Sequence, residues 1–294
     1  MTVLHAGSLS APMAKMASAF AAAHPKVDIR REGGGSAELV RMISELGRPA
    51  DIMISADHAV IDTHLIPDFA AVNIIFAGNQ MVLCHTPGSK FAKEITGDNW
   101  HEILCRPGVA WSHSDPELDP CGYRSLMVLQ LAEIVYDMPG LYQDLMATRP
   151  EGNIRPMPAE LMALLKSGSL DYAWEYLSVA VQHGLEYVPL DARINLSDPA
   201  CDDFYAQAKV EVRGKGPGGA VTHVGASITY GAALLKDAPN RDAAAAFLAY
   251  MLDPRGGLQI LRELGQPPFI PARVSSPEML DALPAALKLF VERK

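Results

Sequence analysis

The chain has 294 residues, 49% of them hydrophobic and 20% charged, and carries a formal net charge of −9. That length calls for one large or two medium globular domains, and an acidic balance without a basic block argues against nucleic acid or an anionic membrane as partner. No apolar run approaches about 20 residues, so nothing reads as a membrane span. Residues 1–20 lack a charged n-region and a long apolar h-region, so no leader is read there, and a strand over Thr2–His5 starts at once. It leads into a helix over Ala11–Ala23, closed by His24-Pro25. A second strand, Val27–Arg31, runs through Gly33-Gly34-Gly35 into a helix over Ser36–Leu46, closed by Gly47, and ADIMISAD reads as a buried strand. This βαβαβ rhythm predicts a parallel sheet with helices on its faces.

Farther on, Phe76–His85 reads as one apolar strand, Asn99–Leu104 as a short helix and Val109–Ser112 as a strand. Cys121–Val135 has the apolar spacing of an amphipathic helix. Pro158–Lys166 and Asp171–His183 read as helices, and Glu186–Pro189 as a strand. GKGPGG (Gly214–Gly219) is a loop with no apolar content. SITYGAALLKDAPN follows as strand and turn, then helices over Arg241–Leu252 and Gly256–Leu264. After the Pro-rich QPPFIPAR, Ser276–Lys294 is expected to be helical.

The four cysteines, Cys84, Cys105, Cys121 and Cys201, show neither CxxC nor Cys/His spacing, which points to free thiols rather than a zinc site or a disulfide framework. Trp100, Trp111 and Trp174 are expected to pack. Two serines stand where chemistry could sit. In parallel α/β sheets, ligands bind beyond the carboxyl ends of strands, where unpaired N–H groups and the positive end of a helix dipole converge. Ser8 follows the first strand, and Ser36 follows the second strand and a glycine triplet. Each is equally readable as an N-cap that needs no ligand. Two such turns on consecutive strands suit a small oxyanion, whereas GGGSAE is no G-x-G-x-x-G dinucleotide loop. SDPELDPCGYR (Ser114–Arg124) carries Asp115, Glu117 and Asp119 between a strand and a long helix, or else is a capping loop with solvated acids. No G-x-S-x-G, no HExxH and no nucleophile–base pair is visible, so an enzyme is not expected. His5 is read as packing at its strand end rather than as a base.

HAGSLSAPM, the GS before ELVRMISELGRPADI, SAD, FAGNQMVL, NWHEIL, DPCGYRSLM, SGSLDYAWEYLSVAVQHG, INLSDP, TYGAALL and ELGQPPFIPAR occur in this order from His5 to Arg273. Together they resemble the archaeal-type molybdate/tungstate-binding proteins, the substrate-binding components of ABC importers. The resemblance implies an α/β, type II periplasmic binding protein fold: two lobes joined by two crossovers, with a ligand cleft that closes by hinge motion. Lobe one would be residues 1–86 and 225–294, and lobe two residues 87–224. It implies a monomer on the periplasmic or extracellular face of the membrane, an ABC-transporter permease as partner, molybdate or tungstate as ligand, and no cofactor.

The resemblance also assigns binding residues. They are Ser8, Ser36, Asp119 with Pro120 and Cys121 beside it for backbone contacts, and Tyr176. Asp119 would add a carboxylate oxygen to the metal of the oxyanion. Such proteins use a second carboxylate from a glutamate, and here that position is Pro158, which has neither a carboxylate nor an N–H. Glu160 lies about 200° around the helix from it. Six-fold coordination of the metal is therefore in question. Sulfate, a phosphorylated compound or a small carboxylate stay open as ligands on the same fold.

Overall fold

The computed structural model describes residues 1–156, 158–213 and 220–293. The chain builds one compact unit from both of its ends, Met1–Gly78 with Ile228–Lys294, and a second from Asn79–Ser227.

The first segment runs β1 (Thr2–Ala6), α1 (Ser10–Ala23), β2 (Arg30–Gly34), α2 (Ser36–Ser44), β3 (Ile52–Ser55), α3 (His58–His64) and β4 (Ile74–Gly78). The second unit contains β5 (Met81–His85), α4 (Trp100–Leu104), β6 (Trp111–Ser112), α5 (Pro120–Val135), α6 (Leu141–Thr148), α7 (Pro158–Ser167), β7 (Tyr172–Tyr176), α8 (Leu177–His183), β8 (Glu186–Val188), α9 (Asp202–Tyr205), β9 (Lys209–Arg213) and β10 (Ala220–Val224). The chain then returns as β11 (Thr229–Leu234), α10 (Arg241–Leu252), α11 (Gly257–Glu263), β12 (Pro268–Val274), α12 (Pro277–Ala282), α13 (Ala285–Lys288) and β13 (Val291–Arg293).

In the first unit seven strands lie in the order β13-β12-β4-β11-β3-β1-β2. Strands β1, β2 and β3 are parallel, and β11 enters antiparallel between β3 and β4. Successive strand side chains point to opposite faces, and the burial follows that rule. Val3, Ile52 and Ile54 join Met13, Met16 and Phe20 of α1 and Phe247, Leu248 and Met251 of α10 on one face. Leu4 and Met53 join Leu39, Val40 and Ile43 of α2 and Ile61 of α3 on the other. The second unit has a four-stranded sheet, β6-β7-β5-β8, and a separate β9-β10 hairpin. Here β6 and β7 are parallel and β5 is antiparallel to both β7 and β8.

Four expectations are corrected. The apolar run Phe76–His85 is two strands of different sheets. The Gly78 N–H bonds the Pro267 carbonyl at 2.8 Å and the Met81 N–H bonds the Asn195 carbonyl at 2.8 Å, with Asn79 and Gln80 as the break. β5 accordingly lies in the unit Asn79–Ser227. Asp171–His183 is not one helix. YAWEY is strand β7, pairing with β5 from Met81↔Tyr176 to His85↔Tyr172, as suits an aromatic-rich segment with Tyr172 to Glu175 all buried. The second strand begins at Arg30, not Val27, because Thr2↔Arg30 to Ala6↔Gly34 is the register that fills β1. The C-terminal stretch is two short helices and a strand rather than a helix, since Val291 pairs with Ala272 and is buried. The three tryptophans are buried, and Trp100 meets Trp174 edge-on at 5.1 Å. All four cysteines are free. GKGPGG lies outside the described residues. Among the described residues, no helix is long and apolar enough to cross a membrane.

Candidate functional site

In the first unit, the carboxyl ends of β2, β1 and β3 are neighbours, because β1 pairs with both others in parallel. Ser8 sits in a single 3-10 turn, Gly7–Leu9, before α1, and Ser36 is the first residue of α2. Neither serine caps its helix. The N-cap positions are Leu9 and Gly35, and neither makes a side-chain cap hydrogen bond. The Ser36 Oγ instead accepts the Ala56 N–H of the third turn at 3.1 Å. That leaves its O–H to donate elsewhere. Ser8 is exposed, and its carbonyl accepts from the amide of the fully buried Gln266 at 3.1 Å. The two turns nearly touch: a Cβ on Gly7 would lie 3.9 Å from the Gly34 carbonyl. His5 gives its Nδ1 to the Ala6 carbonyl at 2.9 Å, and burial pulls its pKa down. It packs at the strand end as expected.

In the second unit, Asp119 follows β6 and Tyr176 ends β7. Those strands are parallel neighbours, with Ser112 opposite Ala173, so their carboxyl ends meet although 57 residues separate the two side chains. Asp119 is the N-cap residue of α5 in extended conformation (φ −136°, ψ 129°), and Pro120 is its first helical residue. Proline suits that place because its N–H would be unpaired anyway, but for the same reason only Cys121 of the pair has an N–H to offer. Asp119 accepts the Ser114 hydroxyl at 2.5 Å. Burial raises its pKa, while the Ser114 hydroxyl, the Cys121 N–H and the nearby Arg124 work in the opposite direction.

The turn is held tight by Gly122. A Cβ there would lie 2.4 Å from the Ser114 carbonyl oxygen and 2.7 Å from Pro116 N, so α5 can start against this loop only with glycine at that position. The Cys121 thiol is fully buried against the Trp174 carbonyl (3.8 Å) and the Glu175 carboxyl (3.7 Å), and burial pushes its pKa well up. The Tyr176 hydroxyl accepts from Arg124 Nη1 at 2.7 Å. The chain that leads to α7 lies beside the same loop, since Ser114 bridges to Arg155 and the Asp115 N–H bonds the Arg155 carbonyl at 2.8 Å. Helix α7 begins at Pro158, and Glu160 in its first turn is exposed.

The profile of the bacterial extracellular solute-binding proteins matches residues 1–265. The chain belongs to that family. It is 45% identical over 271 residues to a solute-binding protein of Petrotoga mobilis, covering 92% of this chain and 84% of the relative. It is 36% identical over 320 residues to the molybdate/tungstate-binding protein WtpA of Pyrococcus abyssi, covering 100% of this chain and 90% of the relative. The substrate-binding domain assigned to a molybdenum ABC transporter from Clostridium difficile superposes with a TM-score of 0.67 at 20% identity, covering 91% of this chain and 97% of that one. The fold is that of the type II periplasmic binding proteins, with two sheet-bearing α/β units. The family is one of solute-binding proteins, not of enzymes.

Within each unit of this solute-binding protein the candidate residues named from sequence are brought together: Ser8 beside Ser36 in one, and Asp119 and Cys121 beside Tyr176 in the other. Two groups at the second cluster escaped sequence reasoning. Arg124 stands inside DPCGYRSL without any mark of its own. Glu175 is fully buried, and its Oε2 accepts the Tyr176 N–H at 3.1 Å, while Oε1 has no partner among the described residues. Burial first, then Asp119, raises its pKa to about 8, against the Tyr176 N–H and the Cys121 thiol. Its signal was an acid inside the aromatic strand YAWEY, since a carboxylate is almost never fully buried without a partner.

Proposed function

We propose that this solute-binding protein captures a tetrahedral oxyanion, molybdate or tungstate, on the periplasmic or extracellular face of the membrane, and hands it as a monomer to an ABC-transporter permease. Ser8, Ser36, Cys121 and Tyr176 hold the anion with uncharged donors, and Pro120 adds a backbone contact without an N–H. Asp119 turns a carboxylate oxygen to the metal. An ionised carboxylate next to a dianion repels it unless it bonds the metal atom, so that contact gives Asp119 an attractive role. The reading is carried by the Asp119–Cys121 helix start lying beside Tyr176 in a chain related over its whole length to a molybdate/tungstate-binding protein. Charge-assisted hydrogen bonds from neutral donors are strong enough to hold such an anion. Isothermal titration with sodium molybdate and sodium tungstate tests it. Saturable heat at one equivalent is the expected result, and no heat with either anion at high micromolar concentration removes the reading.

A second reading has a specific motive. Helix α7 starts with Pro158, and the nearest acid in that turn, Glu160, is exposed. With one carboxylate instead of two, selection for a metal centre weakens, and sulfate, a phosphorylated compound or a small carboxylate becomes an alternative ligand. Ligands that bind only the native state raise its melting midpoint. A thermal-shift panel in which sulfate or a phosphate ester outranks molybdate would favour this second reading.

A further inference from the structure

We propose that Arg124 is the positioning residue of this oxyanion site, fixing the Tyr176 hydroxyl so that its proton is aimed at the bound anion; the inference rests on the reading above. A phenol oxygen can accept hydrogen bonds and has one proton to give, whereas a guanidinium only donates. Arg124 Nη1 donates to the Tyr176 oxygen at 2.7 Å, so the phenol proton cannot point back at Arg124. Among the described residues the hydroxyl donates to nothing. The described residues leave that proton unused, and an oxyanion is the kind of acceptor it suits. The bond from a charged donor also polarises the phenol, which makes its O–H a stronger donor.

The geometry holds Arg124 to this task. It lies in the second turn of α5, and its Cζ is 5.7 Å from the centroid of the Tyr176 ring and 5.9 Å from that of Tyr123. The Tyr123 ring is itself stacked flat on His223, at 4.1 Å and 5°. The guanidinium is thus laid along two aromatic faces, one of them braced by the β9-β10 hairpin, rather than free to sweep through solvent. It is also the one cation among the groups that tune the Asp119 carboxyl, favouring its ionised form. With Pro158 in place of a second acid, Asp119 and Arg124 leave this cluster close to neutral. A dianion then meets donors without a net repulsive charge.

A double-mutant cycle on molybdate and tungstate affinity, read by isothermal titration with sulfate as a third anion, tests the coupling. The variants are R124Q, R124K, Y176F, R124Q/Y176F and R124K/Y176F, each checked for its melting temperature. Losing one charge-assisted hydrogen bond lowers affinity by about 10- to 100-fold. R124Q and Y176F are each expected to show that loss, the double variant no more than the worse single one, and R124K a partial recovery. Losses that multiply in the double variant, or R124K no better than R124Q, overturn the role of Arg124 while the oxyanion reading stands. No heat from the unmodified protein with any of the three anions overturns both. Should R124Q fail to fold, R124K against R124K/Y176F carries the same comparison. A merely structural Arg124 would lower the melting temperature and leave the two losses independent.

Discussion

Glu175 keeps a carboxylic acid in full burial, one residue from a ligand candidate and within reach of the Cys121 thiol. Its pKa stands near 8 in the folded protein, well above the ordinary value of 4.5. Between those two values the folded chain holds a proton that the unfolded chain releases. Stability therefore falls as pH rises across this window, with a slope of at most about 1.4 kcal/mol per pH unit from this group. Glu175→Gln keeps the acceptor for the Tyr176 N–H and removes the ionisation. Its stability is expected to match the parent near pH 5 and to exceed it at pH 8, with a flatter profile between them. Urea unfolding at three pH values checks this, and parallel profiles for the two proteins would show that Glu175 does not ionise with the assigned pKa.

At the level of single elements, the start of α5 concentrates the constraints. A methyl group on Gly122 would drive into the Ser114 carbonyl at 2.4 Å, so either the loop carrying Asp119 or the helix must move. Overpacking of this kind costs about 1–3 kcal/mol. Gly122→Ala is expected to lower the melting temperature and to weaken anion binding together. Gly152→Ala, where the added methyl meets nothing within 4 Å, is expected to stay within about 0.5 kcal/mol of the parent.

Elements were legible in the sequence where one local rule governed them. The helix over Arg241–Leu252 follows from apolar spacing before Asp253-Pro254, and the first βα unit from alternation. The helix from Cys121 to Val135 forms, but Met127 and Val128 are buried along with Leu126 and Leu129 while Ile134 is exposed, so it lacks the single apolar face expected of it. β2 is offset from the expected Val27–Arg31. YAWEYLSVAVQH was not legible, because an aromatic strand running without a turn signal into a short helix has the same apolar content as one helix. FAGNQMVLCH failed for a related reason: its break at Asn79-Gln80 is made by long-range bonds to Pro267 and Asn195, which no local pattern announces. Ser8, Ser36, Asp119 and Tyr176 were placed by motif resemblance, while Arg124 and Glu175 needed the β6–β7 pairing to bring them into view.

For the molecule as a whole, the first unit depends on joining the two ends of the chain, and Asp51 is where they are tied. It is 1% exposed and accepts the Thr2 N–H at 2.7 Å and the Asn240 N–H at 2.6 Å. Asp51→Ala strands both donors and is expected to cost about 3 kcal/mol or more, read as a lowered urea midpoint; a loss below about 1 kcal/mol would show that the tie is redundant. The insertion of β11 between β3 and β4 also sets an order of assembly. While the ribosome works through the whole second unit, β3 and β4 wait with bare edges, the condition in which strands from other chains can pair with them. A nascent chain cut before Thr229 would hold every residue of the second unit and a first unit with its middle slot open. The newborn protein thus has the most to gain from a chaperone during the long interval between its fourth strand and its eleventh.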